Sequence, residues 1–366
     1  MGGHEHMQQR VLFVVDGLSG GGAEKTALRL ADHMHRTGHT VAIASLRDEQ
    51  AFPVPEGVAL IPAFDTSPRR LRKFGEIGRR ARILDEHVAP LDPWNLVISS
   101  VAQADRIVSR SSVGRSAWYR VAIQPSAEHL KGHSGFKRFR RLRRLHRTYG
   151  GRKVIAISEG VRRDLVDTLG IVPSRIETIL NPVDVDEVRR LASEPCQLAG
   201  EDYLVHVGRF DPQKRHDRLL GAFARSGFSG RLVLVGTGPE ADRRRVEQSI
   251  AARGLSSRVE LVGFQPNPFP FIRNARALVL SSDFEGLGTV LIESLVCGTP
   301  VVSTDCPSGP AEILTGDLAV GLSELTDESL AAAIDSVLAD PPTIPKATIE
   351  RFAIDRIAER YLALAG

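Results

Sequence analysis

The sequence predicts an α/β protein in two domains, each built on a parallel sheet. With 366 residues, the chain exceeds the roughly 250–300 residues at which a single hydrophobic core stops growing. Both halves contain an apolar strand, a glycine-bearing loop and a helix in direct succession, at 11–36 and at 278–305. Because parallel strands are buried on both faces, they consist of unbroken apolar runs such as 11–15 and 278–280.

Residues 278–305 are the most informative of these units. The loop at 283–288 precedes a helix that starts near Thr289, so we expect it at the carboxyl edge of the sheet, where the helix offers free N–H groups to an anion. Glu285 and Glu293 are separated by seven residues. Carboxylates beside an anion site indicate a ligand with both phosphates and hydroxyls, such as a sugar nucleotide. The alternative is a surface pair of acids in an ordinary βαβ unit.

At these residues the chain resembles the retaining glycosyltransferases of family 4, the glycosyl transferases group 1. Their E-G-x-G-x-x-x-x-E signature is matched by Glu285, Gly286, Gly288 and Glu293. The resemblance implies a GT-B architecture, in which two Rossmann-like, doubly wound domains face each other across a cleft. It also implies that the donor lies mostly on the second domain and the acceptor on the first. Glu285 would then bind hexose hydroxyls and Glu293 the ribose.

A second motif of this family follows the strand at 203–207. Arg209 and Lys214 stand directly after that strand in a G-R-F-x-x-x-K frame, which predicts that both cations project over the edge that carries Glu285. In the family the matching Arg and Lys neutralise the donor diphosphate. The resemblance therefore implies Glu285, Arg209 and Lys214 as the catalytic residues. The alternative is a pair of surface cations at a helix start.

Other turns of the second half complete the expected donor site. Glycines at such turns let a ligand approach the backbone closely. By resemblance, the donor-binding residues are Gly208, Gly236, Gly238, Phe264, Gly286, Leu287, Gly288, Thr289 and Glu293. The segment 306–314, CPSGPAEIL, is similar to transferases that build bacterial cell-envelope glycans.

A glycine-rich loop follows the first strand of the chain. Gly20, Gly21 and Gly22 stand just before a helix, with Glu24 in its first turn. A dinucleotide fingerprint would need its third glycine at Lys25, which disfavours a nicotinamide cofactor. The G-G-A-E sequence resembles the loop that faces the donor phosphates and the acceptor in family 4. A plain strand-to-helix turn is the alternative.

A loop with candidate sugar contacts opens after the strand at 119–123. In relatives this loop often carries a histidine that touches the transferred sugar. Gln124 stands at that place here and His129 follows shortly after, so both are candidates for the sugar contact. A loop histidine that is only polar surface is the alternative for His129.

The segment 136–147, FKRFRRLRRLHR, predicts a basic amphipathic helix. Its apolar residues stand three apart, at Phe136, Phe139, Leu142 and Leu145, and Lys or Arg residues fill most of the positions between them. Packing on its own domain, contact with an anionic membrane and contact with nucleic acid are three possible roles. We favour the membrane among the binding roles because no nucleic-acid-binding motif accompanies the charge.

Asn181 and Pro182 end the regular structure of the first half, which predicts a domain boundary. We expect a first domain at 1–182, a linker at 183–200 and a donor domain at 201–347. The family resemblance implies that a final helix at 348–366 crosses back to the first domain.

Composition limits the location and the chemistry. The three cysteines are widely spaced, which fits a reducing cytoplasm and no disulfide framework or zinc knuckle. No apolar run reaches the ~18–20 residues of a membrane span, and the first residues lack a signal-peptide core. We expect a cytoplasmic protein, peripheral to the inner face of the membrane, with no metal and no cofactor beyond a UDP- or GDP-linked donor.

The resemblance to family 4 implies a retaining, metal-independent glycosyltransferase of bacterial lipopolysaccharide, capsule or exopolysaccharide synthesis. It would move a hexose or N-acetylhexosamine from a nucleotide sugar to a glycan or glycolipid. The chain has a net charge of +4, and its basic first domain suits an acceptor that bears phosphate. Two other classes stay open. One is a sugar-nucleotide epimerase of the same fold, and the other is a non-catalytic basic protein that binds polyanions.

Overall fold

The structure is a computed structural model that describes residues 8–18, 21–65 and 75–365. The chain divides into two compact units, one formed by Met1–Pro182 with Ile354–Gly366 and the other by Val183–Ala353. Each unit is built on one parallel sheet, as the apolar runs predict.

The first unit contains a seven-stranded sheet within the described residues, in the order β3-β2-β1-β4-β5-β6-β7. Its strands are β1 (Arg10–Val15), β2 (Thr40–Ser45), β3 (Ala59–Pro62), β4 (Leu96–Ser100), β5 (Trp118–Val121), β6 (Lys153–Ala156) and β7 (Arg175–Thr178). Its helices up to this point of the chain are α1 (Gly22–Arg36), α2 (Glu76–Val88), α3 (Ala102–Val108), α4 (Pro125–Leu130), α5 (Gly135–Tyr149) and α6 (Glu159–Arg163). The order places β1 beside β4, so the loops after these strands meet near the middle of one sheet edge.

The second unit contains a six-stranded sheet, again counted over the described residues, in the order β10-β9-β8-β11-β12-β13. Its strands are β8 (Tyr203–Val207), β9 (Arg231–Val235), β10 (Val259–Gly263), β11 (Ala277–Leu280), β12 (Val301–Thr304) and β13 (Leu322–Ser323). Its helices are α7 (Val185–Ala192), α8 (His216–Arg225), α9 (Glu240–Ala252), α10 (Phe269–Arg273), α11 (Thr289–Val296), α12 (Pro310–Ile313), α13 (Asp327–Ala339) and α14 (Lys346–Glu350). Because β8 and β11 are neighbours, the loops that follow them are brought together.

The segment 183–200, which we expected to be a linker, belongs to the second unit. Its helix α7 is capped by the Asp184 carboxylate, which accepts a hydrogen bond from the Glu187 N–H at 2.9 Å. The amide nitrogen of Asn267 donates to the Leu191 carbonyl at 2.9 Å. Val188 and Ala192 are buried, so this segment packs as part of the domain.

The expected single helix at 348–366 is also wrong. The chain forms α14, turns, and forms α15 (Ile354–Leu362), which belongs to the first unit. The turn is fixed by a long-range hydrogen bond, because the Val183 N–H donates to the Phe352 carbonyl at 2.8 Å. The return to the first unit is as expected, and Tyr361 of α15 is fully buried in the core that includes β1 and α1.

Candidate active site

The candidate active site of the second unit lies at the carboxyl edge of its sheet. The loop after β8 carries Lys214 and the loop after β11 carries Glu285. The Lys214 ammonium donates to Glu285 Oε1 at 2.6 Å, and the Ser282 hydroxyl donates to the same oxygen at 2.6 Å. The Glu285 side chain is only 10% exposed, and that of Lys214 17%. Two of the three residues implied as catalytic therefore form one partly buried pair.

A network of backbone and side-chain contacts holds the two loops in register. The Gln213 amide nitrogen donates to the Phe284 carbonyl at 2.6 Å. Asp283 Oδ1 accepts from Arg215 and from Arg218, each at 2.9 Å. Arg218 is buried and also donates to the Ser281 carbonyl at 2.8 Å. Because these contacts span both loops, the position of Glu285 relative to Lys214 is fixed by more than their own ion pair.

Ser282, Arg215 and Arg218 were missed by the sequence reasoning. Nothing in their spacing distinguishes them from ordinary loop and helix residues, because their roles depend on β8 lying beside β11. The one available signal is the run KRHDR at 214–218, which is dense in charge directly after a strand end.

The glycine turns of this edge are closely packed on each other. Gly236 has φ +144°, and a Cβ there would collide with the Gly208 carbonyl oxygen. Gly309 has φ +106°, and a Cβ there would collide with the Leu287 carbonyl oxygen. Side chains would therefore separate the loops, and glycine is required at both positions. Gly238 lies equally close to the backbone of the loop after β8.

Arg209 and Phe264 are exposed at the same sheet edge. Arg209 follows β8 and forms no hydrogen bond or ion pair with any described residue. Phe264 follows β10 directly, and its exposed fraction of 56% is unusual for a large aromatic ring. A free guanidinium and an open aromatic ring are groups that can bind a phosphate and a base, respectively.

Helix α11 begins where the E-G-x-G frame predicts. Its N-cap is Gly288, with φ +81°, and Thr289 is its first residue. Gly286 and Leu287 are buried beneath this turn. Glu293 is half-buried on the second turn of α11, and the pKa of the Cys297 thiol is raised to about 12 by burial and by the Glu293 charge. Glu293 therefore lies on the Cys297 side of the helix.

Two buried histidines lie beneath the loop after β8. His206 Nδ1 is 2.8 Å from the Val279 carbonyl oxygen, which can only accept, so Nδ1 carries the proton. The ring of His216 lies edge-on to that of His206, with centroids 4.9 Å apart. Burial lowers the pKa of His206 far below its usual range, and burial together with the Lys214 charge lowers the pKa of His216 to about 4. Both rings are neutral at pH 7, as expected for core histidines.

The glycine-rich loop of the first unit is described from Gly21 onward, and Gly20 lies outside the described residues. Gly21 is the N-cap of α1, and Gly22 is its first residue. Glu24 is 9% exposed in the first turn of the helix, next to Gly21. The described part of this loop is therefore a strand-to-helix turn that places Glu24 in the first turn of α1.

The two candidate sugar contacts occupy different surroundings. Gln124 is the N-cap residue of α4, and its amide nitrogen lies 3.4 Å from Asp164 Oδ1, a carboxylate that also accepts from Ser126. The His129 side chain is 23% exposed and lies 3.4 Å from Glu128. Burial lowers the pKa of His129, so its ring is neutral at pH 7 and can both donate and accept.

Helix α5 does not have the uniform apolar stripe that its sequence predicts. Leu145 is 5% exposed, whereas Phe136 and Phe139 are 72% and 57% exposed. Beside the helix lies a groove of about 720 Å³, which we call the arginine groove. It is lined by Phe136, Phe139 and six arginines, namely Arg106, Arg110, Arg140, Arg143, Arg144 and Arg147.

Two kinds of feature are absent from the described part of the chain. No helix there is long and apolar enough to cross a bilayer. No group of three or more His, Cys, Asp or Glu side chains there is arranged to hold a metal ion.

The two parallel-sheet units, with a cation and a carboxylate paired at the edge of the second, define a protein of the GT-B class. The family model for "Glycosyltransferase Family 4" matches residues 20–187, and the model for "Glycosyl transferases group 1" matches residues 194–352. The chain therefore belongs to glycosyltransferase family 4.

Individual relatives match part of the chain. The Campylobacter jejuni N-acetylgalactosamine-N,N'-diacetylbacillosaminyl-diphospho-undecaprenol 4-alpha-N-acetylgalactosaminyltransferase is 33% identical over 176 residues, or 48% of this chain and 47% of that protein. The Escherichia coli lipopolysaccharide 1,6-galactosyltransferase is 31% identical over 170 residues, or 45% and 46%. The chain thus spans about half the length of these relatives.

A solved structure matches almost the whole chain. The HepE protein of Anabaena, crystallised with UDP and glucose, superimposes with a TM-score of 0.77 over 96% of this chain and 98% of that one, at 20% identity. At this identity the likeness shows the shared GT-B fold.

Proposed function

We propose that the chain is a retaining glycosyltransferase that moves a hexose or N-acetylhexosamine from a nucleoside-diphosphate sugar to a glycan or glycolipid acceptor. The observation that carries the proposal is the Lys214–Glu285 pair at 2.6 Å, at the sheet edge that also carries the unpaired Arg209. The named relatives are transferases, which favours transfer over epimerisation. The lipopolysaccharide relative also supports a role in bacterial envelope glycan synthesis.

The proposed reaction is a front-face displacement without a metal. Lys214, Arg209 and the N–H groups at the start of α11 stabilise the negative charge that develops on the departing diphosphate. That diphosphate takes the proton of the acceptor hydroxyl as the new glycosidic bond forms on the same face. Glu285 accepts hydrogen bonds from the hexose hydroxyls, and Glu293 from the ribose.

Lys214 gains a second partner when the donor binds. Its ammonium carries three N–H donors, so it can keep Glu285 while it binds a phosphate oxygen. Glu285 also keeps the Ser282 hydroxyl, which holds the carboxylate in place as the lysine turns. Neither acid acts as a nucleophile.

The proposed donor can be identified by thermal-shift screening with UDP-, GDP-, ADP- and dTDP-sugars. A ligand that binds the folded state raises the unfolding temperature by mass action. UDP-sugars are the first to test because the HepE crystals contain UDP. We expect the sugar nucleotides of one base to raise the unfolding temperature of the wild type, and to raise that of Lys214→Met far less. No response to any of the four would contradict the proposal.

We also propose a phosphate-bearing acceptor and peripheral contact of α5 with the inner face of the cytoplasmic membrane. The Campylobacter relative is named for a diphospho-undecaprenol acceptor, which is an anionic membrane lipid. Phe136 and Phe139 are exposed on a strongly basic helix, the combination that binds anionic bilayers.

Vesicle sedimentation tests the membrane contact. We expect binding to vesicles that contain phosphatidylglycerol and not to pure phosphatidylcholine. The double variant Phe136→Ser, Phe139→Ser should sediment several-fold less, whereas the control Val172→Ser, which changes a residue that is 76% exposed on another surface segment, should sediment like the wild type. Equal sedimentation of both variants would contradict this contact.

A further inference from the structure

Two cavities flank helix α5 in the first unit. One is the arginine groove. The other is a smaller cavity of about 320 Å³, which we call the small pocket. Its lining includes Gln103, Glu128 and His129. Arg106, Arg144 and Thr148 line both cavities, so the two lie side by side and share a wall.

The arginine groove is strongly positive, although the nearby Glu76 carboxylate attracts Arg106. Within the described residues, none of its six arginines forms an ion pair with a carboxylate. Burial, and next the neighbouring Arg144 guanidinium, lower the pKa of Arg106. Like charges held this closely repel each other, and a bound anion removes that repulsion. Guanidinium groups bind phosphate oxygens in pairs of parallel hydrogen bonds.

The small pocket has a different chemistry. Besides the guanidinium groups of Arg106, Arg141 and Arg144, it contains an amide, a carboxylate and an imidazole, from Gln103, Glu128 and His129. Leu145 and Tyr149, both almost fully buried, provide an apolar wall. Hydrogen-bond acceptors and donors beside an apolar wall are the groups that bind a hydroxylated ring such as a sugar.

The backbone beside the small pocket is strained. Val101 has φ +83°, a conformation that a β-branched residue rarely adopts, and it lies directly after β4 at the pocket wall. Such outliers are concentrated at binding and active sites, where the surrounding structure enforces them.

We propose that the two cavities form one acceptor site for a sugar linked directly to phosphate or diphosphate, with Arg106 and Arg144 on the phosphate and Glu128 and His129 on the sugar. This inference rests on the proposed function, because it names the class of acceptor. A phosphate alone would use the arginines and make no use of Glu128 and His129, which line the small pocket. A neutral glycan would make no use of the positive charge of the arginine groove.

Calorimetric titration of the full chain tests the site with three probes. N-acetylglucosamine 1-phosphate represents a glycosyl phosphate, inorganic pyrophosphate represents the anion alone, and phosphatidylglycerol vesicles represent a lipid headgroup. N-acetylglucosamine and inorganic phosphate serve as two reference ligands. We expect the glycosyl phosphate to bind at least tenfold more tightly than N-acetylglucosamine and measurably more tightly than inorganic phosphate. Titration at 0.2 M salt suppresses nonspecific attraction to the basic surface.

Three variants separate the contributions. Arg144→Gln should weaken the binding of glycosyl phosphate and of pyrophosphate about tenfold each, because both ligands lose a phosphate contact. Glu128→Gln should weaken the binding of the glycosyl phosphate several-fold and leave the affinity for pyrophosphate unchanged. Arg138→Gln is the matched control, since Arg138 is an exposed arginine of the same helix that lines neither cavity. It should leave both affinities within twofold of the wild type.

Equal losses in Arg138→Gln and Arg144→Gln would overturn the proposal, because they would show attraction to the whole basic surface. Binding to vesicles without binding to the glycosyl phosphate would overturn it in favour of a headgroup contact. The donor screen is independent of these titrations. If the site binds as expected and no sugar nucleotide binds, the proposed function fails and the glycosyl-phosphate site stands.

Discussion

The charged clusters of the two units are organised in opposite ways. In the second unit Lys214 is neutralised by Glu285, and Asp283 compensates Arg215 and Arg218. In the arginine groove of the first unit, none of the lining arginines has a carboxylate partner among the described residues. The first arrangement is organised before any ligand arrives, whereas the second is completed only by an anion.

The comparison teaches that charge alone does not identify a catalytic site. The paired cluster can hold both phosphates and hydroxyls, since it contains donors and acceptors in fixed positions. The unpaired cluster can attract and hold an anion but offers no fixed acid. We therefore propose transfer chemistry at the paired cluster and acceptor binding at the unpaired one.

The largest effect is expected from breaking the pair. Glu285→Gln and Lys214→Met should each lower kcat/KM for the donor at least about 100-fold, because transition-state charge and sugar position are both lost. Steady-state transfer assays measure this. The matched control is the exposed pair Arg243–Glu247, at 2.9 Å in the same unit, whose double substitution to Gln should leave transfer unchanged. Near-wild-type transfer in Glu285→Gln would remove the distinction between the two clusters.

The unpaired cation of the second unit should matter next. Arg209→Gln should raise the donor KM about tenfold through the lost phosphate contact, with little change in unfolding temperature because Arg209 is exposed. Arg144→Gln of the first unit should leave the donor KM unchanged. Donor titrations of both variants measure the difference. An equal rise of the donor KM in both variants would mean that the donor phosphates do not bind specifically to the second unit.

A smaller effect is expected at the edge of the second sheet. Phe264→Ala should weaken the binding of a nucleoside diphosphate about fivefold, since stacking of a base on an aromatic ring contributes roughly 1–3 kcal/mol. Phe264→Tyr keeps the ring and should bind like the wild type. Calorimetry measures both affinities. Unchanged binding in Phe264→Ala would place the base elsewhere.

The smallest effect concerns Asp105, which anchors α5 to the interior. It accepts from Ser99 at 2.5 Å and from Tyr149 at 2.9 Å, and burial raises its pKa from 3.8 to about 7. Between these values the folded state binds more protons than the unfolded state, so this group lowers the free energy of unfolding as pH rises from about 4 to 7. Asp105→Asn should remove that decline, which is at most about 1.4 kcal/mol per pH unit.

Denaturant titrations of both proteins at pH 5, 6 and 8 measure the effect. We expect Asp105→Asn to gain stability relative to the wild type as pH rises through this range. Parallel pH profiles of the two proteins would show that the Asp105 carboxylate is not the group that titrates.

The sequence predicted the parts of the molecule whose signals are local. The strand, loop and helix around α11 lie where apolar runs, Gly288 and Gly298 indicate. Strand β13 has only two residues and was not predicted, since two residues carry no periodicity. The break between α14 and α15 has no glycine or proline signal, because a contact with Val183, far away in sequence, fixes it.

The candidate sites follow the same rule. Lys214 and Glu285 were both predicted from motifs, and their contact follows from β8 lying beside β11. The small pocket could not be predicted, because its lining comes from three helices and from a strained Val101. No run of residues in the sequence reports the packing of α3 against α5.

Lys214 and Arg209 are proposed to hold the donor diphosphate while Glu285 holds the sugar. A crystal structure of the protein with the sugar nucleotide that gives the largest thermal shift tests it most directly. We expect phosphate oxygens within hydrogen-bond distance of Lys214 and Arg209, and a hexose hydroxyl donating to Glu285. A sugar nucleotide bound with its phosphates away from both cations would contradict the account.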